Sequence, residues 1–431
     1  MSSFPRLIAG AALSRRDVPV LIIEGARAVG KTTLAKNDLA QAGYAYTTLA
    51  DSATREFAVQ DPARWLQSLP RPVVIDEAQL VADLPLEIKE IVDRGGGFTN
   101  EFILMGSASI GRTGLGGADP LARRSVRLTM FPLTAWELDG GVGSLADALF
   151  DGTLHPQSMP GVDDPELLER MAYGGFPTYA LNRDRLSRSR LRERVASDVV
   201  AILSKTALPD TVINTVIAHD CLDTLLRAPG AIFNASRLGQ LLDLDKRTAD
   251  RYMGVFARLF LLTWLPNLAT TPTQQTHTRA KIHPVDVSFA IESIERAGLR
   301  LQDNREMFGQ LIESYVVTNI VASTQWARRR ITPYFWRLAA DPKPEVDLVL
   351  EGWGGKTVGV EVKASSVVRP GDLRGLRALR RHRGLTRGYV VYLGTDIREA
   401  DDDIWLLPIT ALGDPQPFGD FDTAARLDLE G

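Results

Sequence analysis

Residues 21–33 read LIIEGARAVGKTT, which fits the pattern G-x-x-x-x-G-K-[ST] without a gap. An apolar run precedes the pattern and a helix-forming segment follows it, so the sequence predicts a buried strand, a loop and a helix. Such a loop closes its backbone N–H groups on phosphate oxygens, while its lysine reaches the β- and γ-phosphates and its hydroxyl binds Mg²⁺. We therefore predict a nucleoside triphosphate site, with Thr32 also a Mg²⁺ ligand, at Gly25, Ala28, Val29, Gly30, Lys31, Thr32 and Thr33.

A second predicted strand ends in two carboxylates. Residues 72–77 read PVVIDE, an apolar run closed by Asp76 and Glu77. An acid at the carboxyl edge of a strand beside a phosphate loop can hold Mg²⁺, and its neighbour can polarise the attacking water. We assign the metal to Asp76 and the catalytic role to Glu77. Ser107 follows the next apolar strand, residues 102–105, and is our candidate sensor of the γ-phosphate.

Short apolar strands alternate with helices in this region, which is typical of a doubly wound α/β domain with nucleotide at the carboxyl ends of its strands. The pair Arg123-Arg124 precedes the strand at residues 126–130. These arginines have two interpretations. Either they stabilise the transferring phosphoryl group, toward a neighbouring subunit, with Arg124 as the catalytic residue, or they form a solvated basic pair.

Composition narrows the function classes. The chain has 431 residues, 45% of them hydrophobic, and its length predicts about two to four domains. With a net charge of −3, nucleic-acid contact must come from local patches. Cys221 is the single cysteine and the five histidines are scattered, which excludes an internal disulfide and argues against a Cys or His metal site. No apolar run approaches the roughly 18 residues of a membrane span and no signal-peptide pattern is seen, so we expect a cytoplasmic protein without membrane contact.

The middle of the chain contains a predicted linker, a helical lid and a winged helix. Residues 140–164 are rich in Gly, Pro and Asp and are predicted to be a loop or linker. In the predicted helices of residues 165–206, an arginine-dense face from Arg183 to Arg194 either contacts nucleic-acid phosphates or is solvated. Residues 233–262 have the spacing of a helix-turn-helix with a cap at Asn234 or Ser236, and residues 263–282 suit a wing. Cations lie near the start of its second helix, at residues 246, 247 and 251. They do not decide between three roles for this module: binding DNA, spacing the domains, or forming a dimer surface.

The last 130 or so residues carry a second set of functional residues, on elements in the predicted order α-β-β-β-α-β. Glu313 lies on a helix, Asp347 on an alternating strand, and Glu361 and Lys363 on one face of the next strand. An Asp followed by Glu-x-Lys suits a metal-dependent phosphodiesterase, although Glu-x-Lys alone also arises by chance in amphipathic strands. We predict that Glu313, Asp347 and Glu361 hold Mg²⁺ or Mn²⁺ and that Lys363 is catalytic, with arginines of the next helix contacting the nucleic acid backbone.

Together these motifs resemble those of prokaryotic AAA-type P-loop ATPases fused to a C-terminal domain of unknown function, over nearly the whole chain. GARAVGKTT at 25–33 is similar to that family's GPRQVGKTT, with Ala26 and Ala28 in place of Pro and Gln. IDEAQ at 75–79, MGS at 105–107 and GGFP at 174–177 resemble its IDEAQ, TGS and GG[YF]P, and LARR at 121–124 gives Arg124 the arginine position of its LAGR. KIHPVD at 281–286 resembles its K-x-x-x-x-D, while FGQLIE at 308–313 and VEVK at 360–363 resemble positions likened to PD-(D/E)xK nucleases. The resemblance implies that the nucleotide is an adenine nucleotide and that the domains follow this order. It implies no biological role.

The sequence thus predicts an α/β protein with an AAA-like core (1–140), a linker and helical lid (141–206), a winged-helix-like domain (207–295) and a PD-(D/E)xK-like domain (296–431). We expect a Mg²⁺-dependent ATPase whose nucleotide state controls a nuclease-like domain on DNA or RNA, assembled as a homo-oligomer. The alternative is an ATP-dependent switch whose degenerate C-terminal domain binds a protein or DNA. A small-molecule kinase ranks last, because it leaves the C-terminal 200 or so residues without a role.

Overall fold

The computed structural model describes residues 4–15, 17–95, 101–111, 119–204, 213–268, 280–338, 344–419 and 421. Its N-terminal sheet has five parallel strands in the order β2-β3-β4-β1-β5. Alternate residues of β1 enter two different cores, because Leu21 and Ile23 face one side of the sheet and Ile22 faces the other. The strands are β1 Val20–Glu24, β2 Ala45–Thr48, β3 Val73–Asp76, β4 Phe102–Gly106 and β5 Ser125–Thr129. The predicted parallel α/β domain is confirmed.

Helices flank this sheet. The helix after the phosphate loop begins at Lys31 and continues as a π-helical turn, Ala35–Leu39. Asp51 and Asp61 cap the next two helices by accepting backbone N–H groups. The helices of this region are Ile8–Ser14, Lys31–Leu34, Ser52–Gln60, Pro62–Ser68, Leu84–Gly95 and Ala135–Leu138.

The prediction of a loop at residues 140–164 is wrong in part. The segment contains the helix Leu145–Asp151 and the short strand β6, Gln157–Ser158. This helix is buried because the C-terminal part of the chain covers it, with the Tyr389 hydroxyl donating to the Leu149 carbonyl oxygen at 2.7 Å. Its partners lie far along the sequence, so local composition could not indicate it.

The lid and the middle region follow. The lid helices are Asp164–Tyr173, Pro177–Ala180 and Arg188–Ser204. The middle helices are Thr215–Leu226, Ala235–Leu242, Lys246–Arg258 and Val287–Arg296, beside an antiparallel sheet ordered β7-β9-β8, with β7 Ala231–Phe233, β8 Leu262–Leu265 and β9 Ala280–Pro284. Asn234 caps its helix as predicted, by accepting the Arg237 N–H. The helix predicted to reach Leu262 instead ends at Arg258. Phe260 then takes a positive φ, and β8 begins at Leu262. Residues 269–279 of the predicted wing lie outside the described residues.

The C-terminal sheet agrees with the predicted order of elements and adds three strands, the last two in sequence order and the earlier β6. Its strands are β10 Ile331–Arg337, β11 Glu345–Gly352, β12 Thr357–Lys363, β13 Arg387–Tyr392, β14 Asp396–Asp401 and β15 Ile404–Pro408, in the order β10-β11-β12-β13-β15-β14-β6. Its helices are Arg305–Ser323 and Arg374–Arg383.

The helix Arg305–Ser323 connects the C-terminal sheet to the N-terminal domain. Asn319 accepts the Ala135 N–H at 2.6 Å, and Gln325, in the turn that follows, accepts the Thr129 N–H at 2.9 Å. Gln325 therefore binds the last residue of β5, which pairs with Glu24 just before the phosphate loop. Asn319 binds the first residue of the helix that follows β5. Across the described residues, no helix is long and apolar enough to cross a membrane.

Candidate functional site

The phosphate loop leaves the carboxyl end of β1, between β4 and β5. A Cβ at Gly25 would lie 2.2 Å from the Met130 carbonyl oxygen, so only glycine fits this close approach. Gly30 has a φ of 103°, in the left-handed region that favours glycine. Both glycines of the motif thus have a backbone reason for their presence.

The Lys31 side chain folds back over the loop. Its Nζ donates to the carbonyl oxygens of Gly25 at 2.8 Å and Ala26 at 2.9 Å. Burial lowers the pKa of Lys31 to about 8, although the nearby Glu77 and Asp76 act in the opposite sense. A buried ammonium with incomplete charge compensation is suited to receive a phosphate anion.

The side chain of Thr32, in the helix after the phosphate loop, contacts Asp76 at the end of β3. Thr32 Oγ1 donates to Asp76 Oδ2 at 2.7 Å, and the Tyr46 hydroxyl donates to the same oxygen at 3.1 Å. Burial, followed by the charge of Asp76, raises the pKa of Tyr46 to about 12, so this hydroxyl remains a donor. The hydroxyl and carboxylate oxygens assembled here are ligands that Mg²⁺ prefers.

Glu77 is held in a left-handed conformation with a φ of 54°. Its Oε2 accepts a hydrogen bond from Ser107 Oγ at 2.9 Å and one from the Gln79 side-chain amide. The predicted base and the predicted γ-phosphate sensor are therefore in direct contact. Gln79 was not predicted as a site residue, although it occupies a fixed place two residues after Glu77 in IDEAQ.

The remaining phosphate-loop residues differ in exposure. Ala28 and Thr33 are exposed, whereas the Val29 side chain is buried in the core. The buried Arg6 donates to the Val29 carbonyl oxygen at 2.7 Å, to the Phe131 carbonyl oxygen at 2.8 Å and to Glu137 at 2.9 Å. Arg6 therefore ties the loop to the exit of β5. No periodic pattern or motif in the sequence indicated this role for Arg6.

Arg124 lies away from the phosphate loop of its own chain. It precedes β5, whose first residue pairs with Val20 at the start of β1, whereas the loop follows the end of β1. The separation along the strand is about 16 Å. Arg124 binds Asp93 through two nitrogens, at 2.5 and 3.0 Å, and this hydrogen bonding lowers the pKa of Asp93.

A second cluster lies in the C-terminal domain, and Lys281 of β9 enters it. Lys281 Nζ lies 2.8 Å from Glu313 Oε1, 3.0 Å from Asp347 Oδ1 and 2.6 Å from Glu345 Oε1. Glu313 and Asp347 were predicted to share a metal. Lys281 and Glu345 were not predicted to belong to the site, and a lysine within the mostly apolar strand β9 was the available signal.

Glu361 and Lys363 complete this cluster. Lys363 Nζ lies 2.6 Å from Glu361 Oε1, while Glu361 Oε2 is buried and has no hydrogen-bond partner among the described residues. Burial, then the charge of Asp347, raises the pKa of Glu361 well above its usual range. The same two causes raise the pKa of Glu313 to about 8, against the opposing effect of Lys281.

The described arrangement leaves no position for a metal ion between Glu313 and Asp347 while Lys281 is bound to both. Among the residues that the structure describes, no group of three or more His, Cys, Asp or Glu side chains is arranged to hold one. At the point where three carboxylates converge lies an ammonium, and its three N–H donors match the three acceptors.

Two of the sequence signatures bind each other. Asp286, the last residue of KIHPVD, accepts the N–H of Gly175 at 2.6 Å and that of Ser288 at 2.9 Å. The Gly175 carbonyl oxygen in turn accepts the Leu133 N–H at 2.7 Å. The lid signature is thus held between the N-terminal domain and the segment that follows β9.

The predicted nucleic-acid surfaces are partly neutralised by acids. In the arginine-dense lid, Arg188 and Arg192 pair with Glu295 at 2.9 and 3.4 Å. Arg377 of the C-terminal helix binds Asp401. The cations at the start of the helix Lys246–Arg258 are exposed: Lys246, Arg247 and Arg251.

Comparison with known families divides the chain into three matches. Residues 17–138 match the family model of an AAA domain. Residues 164–299 and 308–412 match two domains of unknown function, DUF8612 and DUF4143. Uncharacterized proteins of Mycobacterium bovis and Mycobacterium tuberculosis are each 26% identical to the chain over 398 residues, which is 90% of this chain and 80% of the relative.

Solved structures similar to the chain include a Walker-type ATPase of Pyrococcus abyssi, with 12% identity and a TM-score of 0.40 over 68% of this chain and 96% of that one. Another is the RuvB Holliday junction branch migration motor of Thermotoga maritima, with 17% identity and a TM-score of 0.30 over 68% of this chain and 92% of that one. The AAA match and the geometry around Lys31, Thr32 and Asp76 identify residues 17–138 as an AAA-type P-loop domain.

Proposed function

We propose that this protein binds ATP with Mg²⁺ and hydrolyses it at the phosphate loop. The observation that carries the proposal is the 2.7 Å contact between Thr32 Oγ1 and Asp76 Oδ2, which joins the two proposed Mg²⁺ ligands. The backbone of residues 25–33 and the Lys31 ammonium bind the phosphates. Bound Mg²⁺ supplies neutralisation of the charge that develops on the phosphate oxygens.

Glu77 accepts the proton of the attacking water in this proposal. Its carboxylate is oriented by Ser107 and Gln79, which leaves Oε1 for the water. Ser107, in contact with Glu77, reports the γ-phosphate. Arg124 acts on the nucleotide of a neighbouring subunit in a homo-oligomer, because its own loop lies at the other end of the strands.

Steady-state ATP turnover and binding of a fluorescent ATP analogue test this assignment. Lys31→Ala should lose both binding and turnover, whereas Glu77→Gln should keep binding and lose turnover by about 10²–10⁴-fold. Lys356→Ala, at an exposed lysine of the C-terminal domain, is the matched control and should behave as wild type. Unchanged turnover in both site variants would refute the catalytic assignment.

We further propose that nucleotide state controls the C-terminal domain. The hydrogen bonds from Ala135 and Thr129 to Asn319 and Gln325 support this coupling, since they join the exit of β5 to the helix that carries Glu313. In this reading the domain is PD-(D/E)xK-like and acts on DNA or RNA, with Mg²⁺ or Mn²⁺ at Glu313, Asp347 and Glu361 and with Lys363 catalytic. The middle domain is a winged helix, and the protein works in the cytoplasm.

The alternative is an ATP-dependent switch whose C-terminal domain binds a protein or DNA without cleaving it. The position of Lys281 among the carboxylates favours this second function. Cleavage of labelled DNA and RNA with Mg²⁺ or Mn²⁺, with and without ATP, separates the two. Cleavage lost in both Glu361→Ala and Lys363→Ala supports the nuclease, and no cleavage beside intact ATP turnover supports the switch.

A further inference from the structure

Lys281 reaches the C-terminal cluster from a different part of the chain. It lies on β9, whose neighbours are β7 and β8, whereas its partners lie on β11 and on the helix Arg305–Ser323. Its side chain is 5% exposed. An ammonium so deeply buried is stable only with nearby counter-charges, because desolvation of an isolated cation is costly.

The surrounding carboxylates supply that compensation. Burial alone would lower the pKa of Lys281, but Asp347, Glu313 and Glu345 together raise it well above the usual range. Burial likewise opposes ionisation of Asp347, yet Lys281, the Val362 N–H and Lys363 lower its pKa overall. Lys281 Nζ lies within 3.0 Å of an oxygen of each of the three carboxylates, so these groups form a buried ion-pair cluster.

We propose that Lys281 and a divalent cation compete for the same carboxylates, so that the C-terminal site is closed to metal while β9 remains docked. This inference rests on the proposed metal site of the C-terminal domain and names its regulation. The unpartnered Oε2 of Glu361, buried beside the ion pair, provides the additional acceptor that a divalent ion requires and a lysine does not use.

Opening the site requires movement of more than one side chain. The backbone of β9 is paired to both β7 and β8, so Lys281 withdraws when the three-stranded sheet shifts. Asp286, two residues beyond Pro284 at the end of β9, is bound to Gly175 of the lid. A displacement of the lid is thus transmitted to Lys281 through six consecutive residues, 281–286.

Titration of the nucleotide-free protein with Mn²⁺ tests the competition. The electron paramagnetic resonance signal measures the concentration of free Mn²⁺ at each step. All variants carry Asp76→Asn, which removes the carboxylate of the phosphate-loop site. Lys281→Met should gain about one saturable Mn²⁺ site per chain, and the parent, in which Lys281 occupies the carboxylates, should lack this site. Adding Asp347→Asn should abolish this site, Lys281→Arg should not create it because the charge is kept, and the control Lys356→Met should match the parent.

The outcomes separate the two proposals. Equal Mn²⁺ binding in the parent and in Lys281→Met, lost on Asp347→Asn, overturns the competition and leaves the metal site standing. Absence of binding in both overturns the metal site and the competition with it. If Lys281→Met does not fold, the parent protein is compared with the parent carrying Asp347→Asn. The competition requires that Asp347→Asn leave the Mn²⁺ binding of the parent unchanged. A saturable Mn²⁺ site of the parent that is lost on Asp347→Asn refutes the competition.

Discussion

The carboxylate of Asp286 accepts the backbone N–H of Gly175 at 2.6 Å, a contact between residues 111 positions apart. Its other oxygen caps the helix Val287–Arg296 by accepting the Ser288 N–H at 2.9 Å. Asp286 is buried, and burial raises its pKa despite these hydrogen bonds. One carboxylate therefore binds both the lid, at Gly175, and the first turn of the helix that follows β9, at Ser288.

Asp286→Asn should destabilise the fold by about 1–3 kcal/mol, because an amide has one oxygen and leaves one of the two buried N–H donors unsatisfied. Urea unfolding measures this free energy. Asp250→Asn, on an exposed helix position, is the control and should change it by less than about 0.5 kcal/mol. An Asp286→Asn protein as stable as wild type would show that the contact contributes little.

Ser107→Ala should lower kcat by about tenfold and leave ATP affinity nearly unchanged, because the hydroxyl orients Glu77 at 2.9 Å. Turnover measured against ATP concentration separates kcat from KM. Ser109→Ala, two residues further along the same loop, serves as the matched control. A rise in KM at constant kcat would instead assign Ser107 to ground-state nucleotide binding.

Arg124→Ala should abolish most turnover while ATP binding persists, since the proposed role is in a neighbouring subunit. Mixing this variant with Lys31→Ala should restore part of the activity, because some interfaces then join an intact arginine to an intact loop. Arg94→Ala, at an exposed arginine paired with Glu90, controls for lost surface charge. Failure of every mixture to regain activity, beside full loss in each single variant, would argue against action between subunits.

Stability should fall in acid through His283. Burial and then Lys281 lower its pKa to about 3, although Asp347 acts in the opposite sense. Its usual pKa is about 6.5, so the unfolded chain takes up a proton that the folded chain refuses. The resulting contribution is fully present above about pH 6.5 and is lost as the pH falls toward 3, by about 1.4 kcal/mol per pH unit.

Chemical unfolding at several pH values between 7 and 5 compares wild type with His283→Gln, which can still bond Ser314 but does not titrate. The stability advantage of wild type should shrink as the pH falls. A difference that stays constant with pH would contradict a neutral buried imidazole.

The parts that sequence predicted well are those whose physics is local. Strand, loop and helix at residues 20–34 follow from apolar runs and glycine positions. The placement of Asp76 at the end of β3 and of Ser107 just after β4 follows from the apolar runs that precede them. Gln79 was missed because the IDEAQ motif does not by itself indicate a side-chain contact with Glu77. Arg6, Lys281 and Glu345 were missed because their partners are distant in sequence. The helix Leu145–Asp151 was missed for the same reason: residues such as Tyr389 complete its environment.

The pairing of β6 with β14 means that the C-terminal sheet is built from two separate stretches of the gene. A transplant of residues 296–431 alone into another protein would leave the sheet without its last strand and without the helix Leu145–Asp151. The lid and middle domains are in effect an insertion between these two stretches. Recombination among relatives should therefore exchange that insertion as a cassette more readily than it exchanges the C-terminal end.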